Sequence, residues 1–124
     1  MPAWPLFELE MNKATLVLSD GSLVGLDAKG YMLDVNAWRP EVAERMATLD
    51  GIALTPEHWT VLSIFRDYFV RFEIEPPMRA LVSETRKKLG GDKGTSRFLY
   101  QLFPAGPTTQ ACRYAGLPRP VSCV

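Results

Sequence analysis

The sequence predicts a mainly α (α+β) protein: a small helical bundle with a β-hairpin on its N-terminal side and a flexible C-terminal arm. Three observations carry that expectation. Two brief apolar runs flank Asp20-Gly21 early in the chain, and apolar residues then recur at helical spacing from Trp38 to Ala115. Finally, Pro118 and Pro120 forbid a helix in the last eight residues. The chain has 124 residues, 47% of them hydrophobic, 23% charged and 10% aromatic. That is the composition of one globular domain, and it excludes collagen, coiled coil or disorder as a description of the whole.

Each element has its own warrant. The first dozen residues show no sustained period and read as an extension. From Thr15, Leu16-Val17-Leu18 lead into the turn Asp20-Gly21, and Leu23-Val24-Gly25-Leu26 lead out of it. A second turn at Asp27-Ala28-Lys29-Gly30 precedes Tyr31-Met32-Leu33, so two or three short antiparallel strands are expected. Asn36 offers a cap for a helix whose apolar stripe is Trp38, Val42, Met46 and Leu49, with Pro40 in its first turn and Asp50-Gly51 at its end.

Thr55-Pro56-Glu57 starts the next helix with a capping hydroxyl, a proline at the first position and an acid at the positive end of the dipole. This helix, over 56–72, is the hydrophobic centre. Its stripe of Trp59, Leu62, Phe65, Phe69 and Phe72, widened by Val61, Ile64 and Tyr68, predicts cover on most sides. After Glu75-Pro76-Pro77, a helix carries Met78, Leu81, Val82, Thr85 and Leu89 on one side and Arg79, Arg86, Lys87 and Lys88 on the other. Gly90-Gly91 stops it. Short helices are expected over 96–103 and 108–115, the second closed by a left-handed Gly116. The boundaries are therefore 1–14, an N-terminal extension; 15–116, the helical domain with its hairpin; and 117–124, a mobile arm carrying Cys123.

Charge and cysteine usage narrow the function. The 14 basic and 14 acidic residues cancel, so no global field draws the chain to nucleic acid or anionic lipid. No apolar run approaches the roughly 20 residues needed to span a bilayer, and no signal-peptide pattern opens the chain, so a cytoplasmic location is expected. The two cysteines, Cys112 and Cys123, do not make a disulfide framework. Cys112 reads either as a small buried hydrophobe or as a reactive thiol. Cys123 lies one residue from the C-terminus, where a thiol is poorly placed for packing and well placed for delivery to another active site. It can fold back onto Cys112 or reach into a neighbour.

Other chemistries are excluded or bland. There is no CxxC and the one histidine, His58, reads as a half-exposed helix residue, so a zinc site is rejected and no metal is expected. Glu41–Arg45, Asp67–Arg71 and Glu84–Lys88 have the spacing of surface pairs rather than of paired catalytic acids. Gly90, Gly91 and Gly94 lack a phosphate-loop spacing. The cluster Arg79, Arg86, Lys87, Lys88, Lys93 and Arg97 is a solvated face, a docking surface for an acidic partner, a thiolate-stabilising group or a phosphate contact. A winged-helix DNA-binding regulator is the alternative from another class, but zero net charge opposes it and it leaves Cys123 unexplained. Nucleic acid is thus not an expected partner.

The C-terminal third carries a resemblance. The run Lys93-Gly94-Thr95-Ser96-Arg97-Phe98-Leu99-Tyr100-Gln101-Leu102-Phe103-Pro104, then Gly106-Pro107, Gln110-Ala111-Cys112-Arg113, Ala115-Gly116-Leu117-Pro118-Arg119-Pro120 and Cys123-Val124, resembles the DsrC/TusE family. Upstream support comes from Asp27-Ala28-Lys29-Gly30-Tyr31, Leu54-Thr55-Pro56-Glu57-His58-Trp59 and Phe65-Arg66-Asp67-Tyr68, so the resemblance spans about residues 20–124. It implies a DsrC-like fold and a sulfur-relay role, with sulfur held covalently on cysteine and no separate cofactor.

The resemblance makes Cys123 the sulfur-carrying thiol. It also implies that Cys112 marks the sulfite-reductase branch, since the TusE branch typically has only the penultimate cysteine. The implied partners are the alpha and beta subunits of dissimilatory sulfite reductase, sulfurtransferases of the relay and a membrane thiol-disulfide redox complex. The implied product is a Cys123 persulfide or a Cys112–Cys123 trisulfide, in a carrier rather than an enzyme with independent turnover. A TusE-like relay for tRNA 2-thiolation is the alternative. Arg113 and Arg119 are the near cations able to raise the thiolate fraction, with Arg97 and Lys93 as further tuning or docking residues. Two departures stand out: Val121-Ser122 replaces the family's common Thr-Gly before the cysteine, and residues 1–12 have no counterpart.

Overall fold

The computed structural model describes residues 6–10 and 13–120. Cys123 therefore lies outside the described residues. Three antiparallel strands, β1 (Leu6–Glu10), β2 (Lys13–Val17) and β3 (Leu23–Asp27), form a sheet in the order β1-β2-β3. The expected hairpin is β2–β3, with Leu16 opposite Val24 and Val17 opposite Leu23. Alternation places Leu16, Leu18, Val24 and Leu26 in the core while Leu23 faces outward. At the turn, Gly21 takes a φ of 87° and the Asp20 carboxylate accepts the Ser22 N–H.

Two expectations for this end change. β1 falls inside the segment read as an extension: it pairs antiparallel with the adjacent β2, Leu6 opposite Leu16 and Glu10 opposite Lys13, although no turn dipeptide in the sequence marks the hairpin. Tyr31-Met32-Leu33 is not a strand. The Asp27 carboxylate accepts the N–H groups of Lys29 and Tyr31, closing a tight loop that leaves a single bridge between Leu26 and Met32.

Five helices follow: α1 (Pro40–Leu49), α2 (Pro56–Phe72), α3 (Met78–Leu89), α4 (Ser96–Leu102) and α5 (Pro107–Tyr114). The helical spans match the expected ones closely, but the start of α1 does not. Asp34, not Asn36, is the capping side chain, and it caps a single 3-10 turn at Val35–Ala37. Arg39 precedes Pro40, which disfavours helical backbone at that residue, and its φ and ψ of −151° and 165° are extended. Trp38 is thereby excluded from the helix and released for another role.

At α2, Thr55 accepts the His58 N–H and His58 Nδ1 accepts the Thr55 N–H at 3.1 Å, a reciprocal capping box. His58 is not half-exposed: it is 5% accessible, donates from Nε2 to the Leu102 carbonyl at 2.7 Å and meets the Phe103 ring edge-on. The apolar centre of α2 is Val61, Leu62, Ile64 and Phe65, all buried. Its last turn is not covered, since Val70 and Phe72 are 78% and 52% exposed. α3 packs on α2, while α5 packs on both α1 and α2. That last arrangement seats α5 in the middle of the core.

Candidate functional site

α5 is short and almost wholly inward-facing: Pro107, Gln110, Ala111, Cys112 and Tyr114 are buried. It starts with Pro107 after Gly106, whose φ of 114° is open to glycine, and it ends at Gly116, whose φ is 75°. Cys112 has no accessible surface, and its Sγ lies 3.4 Å from the Pro118 carbonyl oxygen. The chain beyond α5 therefore turns back over this thiol.

Residues 117–120 are packed, not free. Leu117 is buried and donates its N–H to the Cys112 carbonyl at 3.1 Å; Arg119 pairs with Asp27 at 3.3 Å; and Pro120 is buried. Over these four positions the chain is a strap lying on the body. The reason is the left-handed turn at Gly116, which reverses the chain onto the β2–β3 side. Of the two courses open to the arm, its described part folds back.

Polar contacts, several of long sequence span, hold α5 in place. The Tyr114 hydroxyl donates to Asp50 at 2.5 Å and accepts from the Gln110 amide at 2.9 Å; Gln110 in turn accepts the Ala105 N–H at 2.9 Å. Burial, with the Asp50 carboxylate second, pushes the Tyr114 phenol well above its ordinary pKa. At the end of the helix, the Trp38 indole N–H donates to the Tyr114 carbonyl at 2.8 Å and Arg66 donates to the Ala115 carbonyl at 2.6 Å. The Arg66 guanidinium also stacks 4.2 Å from the Trp38 ring centroid.

The four cations singled out in the sequence lie in four different places. Arg113 leaves α5 and meets Asp50 at 3.5 Å, and Arg119 meets Asp27, so both sequence-near cations are engaged by carboxylates of the body. Lys93 pairs with Glu57 at 3.1 Å near the start of α2. Arg97 is exposed on α4 and joins none of the ion pairs among the described residues. The basic face of α3 is not uniform, because Glu84 bridges to Lys87 at 3.2 Å rather than to Lys88. Of the surface pairs read from spacing, Glu41–Arg45 forms at 3.2 Å. Spacing gave no sign of Asp50, Arg66, Trp38 or Gln110 as site residues. Arg66 and Trp38 carried a weak signal: one falls within a segment of the family resemblance, and the other precedes the Arg-Pro pair that ends helical backbone.

A small helical protein with a cysteine buried beneath its own returning C-terminal strap is a definable class. Comparison with known proteins makes it specific. The family described as DsrC like protein matches residues 19–124. "Sulfurtransferase TusE" of Pectobacterium atrosepticum is 44% identical over 105 residues, covering 85% of this chain and 96% of that protein. The solution structure of Allochromatium vinosum DsrC is 45% identical with a TM-score of 0.78, covering 87% of this chain and 96% of that one. The oxidized gamma-subunit of the dissimilatory sulfite reductase (DsrC) from Archaeoglobus fulgidus is 36% identical, also at 0.78, with 89% and 99% covered. The chain belongs to the DsrC/TusE family of sulfur carriers. Among the described residues, no helix is long and apolar enough to cross a membrane.

Proposed function

We propose that this protein is a sulfur-relay carrier whose acceptor is Cys123 and whose second thiol is Cys112. The observation that supports it is the strap: residues 117–120 run across Cys112, and Cys123 follows Pro120 by three residues, a reach of at most about 11 Å. The chemistry needs a reachable thiolate and a sheltered second thiol nearby. The Cys123 thiolate attacks the terminal sulfur of a donor persulfide. The donor's S–S bond breaks, its thiolate leaves, and Cys123 becomes a persulfide. A partner's thiolate then removes that sulfur. Alternatively, the Cys112 thiolate attacks the Cys123 Sγ, expels hydrosulfide and leaves a disulfide.

The relatives named as sulfurtransferases support the relay reading, so transfer toward tRNA 2-thiolation, with sulfurtransferases as partners, is the first reading. One observation keeps a second: Cys112 sits under the strap, and the family resemblance links this cysteine to the sulfite-reductase branch. In that reading the alpha and beta subunits of dissimilatory sulfite reductase hand over sulfur above the sulfane level. Joining it between the two thiols as a trisulfide removes two electrons from them, which that more oxidised sulfur accepts. A membrane thiol-disulfide redox complex then reopens the bridge.

Mass spectrometry after exposure to a persulfide donor tests the carrier role. The parent protein should gain one sulfur at Cys123, Cys123→Ser should gain none there, and Cys112→Ser should load but form no internal bridge. Equal loading of Cys123→Ser and the parent sinks the assignment. Gene deletion separates the two readings: a loss of 2-thiouridine from tRNA supports the first. Unchanged 2-thiouridine with impaired sulfite or sulfur turnover supports the second.

A further inference from the structure

A helix ends with four carbonyls that lack intrahelical donors. On α5 two successive ones are taken by side chains from elsewhere in the chain, Trp38 Nε1 on Tyr114 O and Arg66 Nη1 on Ala115 O. These donors lie 76 and 49 residues away in sequence and are locked to each other by stacking. Arg66 is part-buried and joins no ion pair among the described residues, and desolvation lowers its pKa. A part-buried cation without a carboxylate is a poor choice for stability alone. Its described compensation is the Ala115 carbonyl, the negative end of the α5 dipole and the face of Trp38.

What these contacts fix is the direction in which the chain leaves α5. Gly116 follows at once, pressed against Trp38 so closely that a Cβ there would lie 2.2 Å from the indole Cδ1 and 2.8 Å from the Met32 sulfur. The next carbonyl but one, that of Pro118, lands on Cys112 Sγ. Leu117 and Pro120 also hold the strap, by burial and by the Leu117 N–H on the Cys112 carbonyl, whereas its other side-chain tie, Arg119–Asp27, joins side chains that are 43% and 23% exposed, and such pairs are weak. The part-buried hinge is therefore the stronger of the two polar side-chain attachments.

We propose that Arg66, stacked on Trp38, is a positioning residue for Cys112: Arg66 on the Ala115 carbonyl and Trp38 on the Tyr114 carbonyl together lay residues 117–120 over the thiol and set how often that thiol is uncovered. For sulfur transfer this meaning rests on the carrier reading above, whereas the shielding itself does not. Weakening the hinge should leave the protein folded while the strap opens more often. In the two-thiol protein it should also lower the effective concentration of one cysteine at the other.

The test uses the full chain in a Cys123→Ser background, where Cys112 is the one remaining cysteine. Its reaction with a bulky maleimide is followed in native buffer and in low urea. Arg66→Gln should speed labelling about tenfold, and Trp38→Phe, which keeps a ring but loses the N–H, several-fold. Arg66→Lys should fall between parent and Arg66→Gln, and Arg119→Gln should change the rate less than about threefold. The acceleration should be nearly independent of urea, the mark of local opening rather than global unfolding. Unchanged rates in Arg66→Gln and Trp38→Phe overturn the proposal. So does an acceleration that rises with urea as steeply as unfolding, which makes Arg66 merely structural. If Arg66→Gln does not fold, Trp38→Phe decides. No sulfur donor enters this assay, so a failed loading experiment and a failed labelling experiment are told apart.

Discussion

The two ends of the helical core are built differently. Around α5 and the strap, polar groups reach far along the chain: Asp50 to Tyr114, Arg66 to Ala115, Trp38 to Tyr114 and Asp27 to Arg119. At the corner where α2 gives way to α3, polar contacts are short-range, as in Glu84–Lys87, and apolar side chains such as Val70 and Phe72 stand in solvent. The two regions use similar residue types. The difference is that one converts them into tertiary constraints on a thiol-bearing helix, and the other leaves them as an ordinary solvated surface. The long-range polar contacts are concentrated around the helix that carries the buried Cys112.

The sharpest way to break this comparison is Gly116→Ala. The substitution meets a left-handed φ and a Cβ position 2.2 Å from Trp38, so either the strap or the indole must move. Backbone strain of about 1–2 kcal/mol and overpacking of about 1–3 kcal/mol add in the same place, so a loss near 3 kcal/mol is expected in urea unfolding. A loss below 1 kcal/mol would show that the α5–strap junction is soft.

Next in size is the buried capping histidine. His58 ties the start of α2 to the end of α4 through Thr55 and the Leu102 carbonyl. His58→Ala leaves that carbonyl without its donor and opens space beside Phe103, so about 2–3 kcal/mol should be lost. Thermal unfolding measures it, and a change within 0.5 kcal/mol would return His58 to the half-exposed role read from the sequence.

Tyr114→Phe sharpens the comparison from inside α5. Losing a hydrogen bond to a carboxylate should lower stability by about 1.5–2 kcal/mol at neutral pH. The pH dependence has a definite sign. Because the folded phenol is held above its ordinary pKa, its stabilising contribution is complete below the unfolded value of about 10 and is lost as pH rises from there toward the folded value. The parent should therefore lose stability above pH 10 more steeply than Tyr114→Phe. Parallel alkaline curves for the two proteins would contradict the buried Tyr114–Asp50 bond.

Legibility in the sequence follows the same division. Helices α2 to α5 were readable to within a residue or two, because Thr55-Pro56, Gly90 and Gly116 mark ends by local chemistry and apolar stripes mark the middles. Placement and family resemblance single out Cys112 and Cys123, and of the two the described residues include Cys112, buried under the strap. What could not be read depends on contacts between distant residues. Trp38 looks like helix stripe until Pro40 excludes it, and Asp50 looks like a helix end until Tyr114 finds it. His58 was misread because one histidine in a first turn gives no hint that Leu102 lies over it.

The smallest effect belongs to the α2–α3 corner and is the control for the whole comparison. Glu84 bridges Lys87 at 3.2 Å with the lysine side chain 69% exposed, a geometry in which solvent screening and side-chain entropy cancel most of the attraction. Val70 is 78% exposed at the uncovered end of α2, so replacing it by lysine removes little buried area and adds a side chain that favours helix. Glu84→Gln and Val70→Lys should each shift unfolding free energy by no more than about 0.5 kcal/mol, and neither should alter the labelling rate of Cys112. Urea melts and the maleimide assay check both on the same samples. If either variant changes Cys112 reactivity as strongly as Arg66→Gln, coupling runs through α2 as a whole, and the contrast between a constrained end and a solvated end fails.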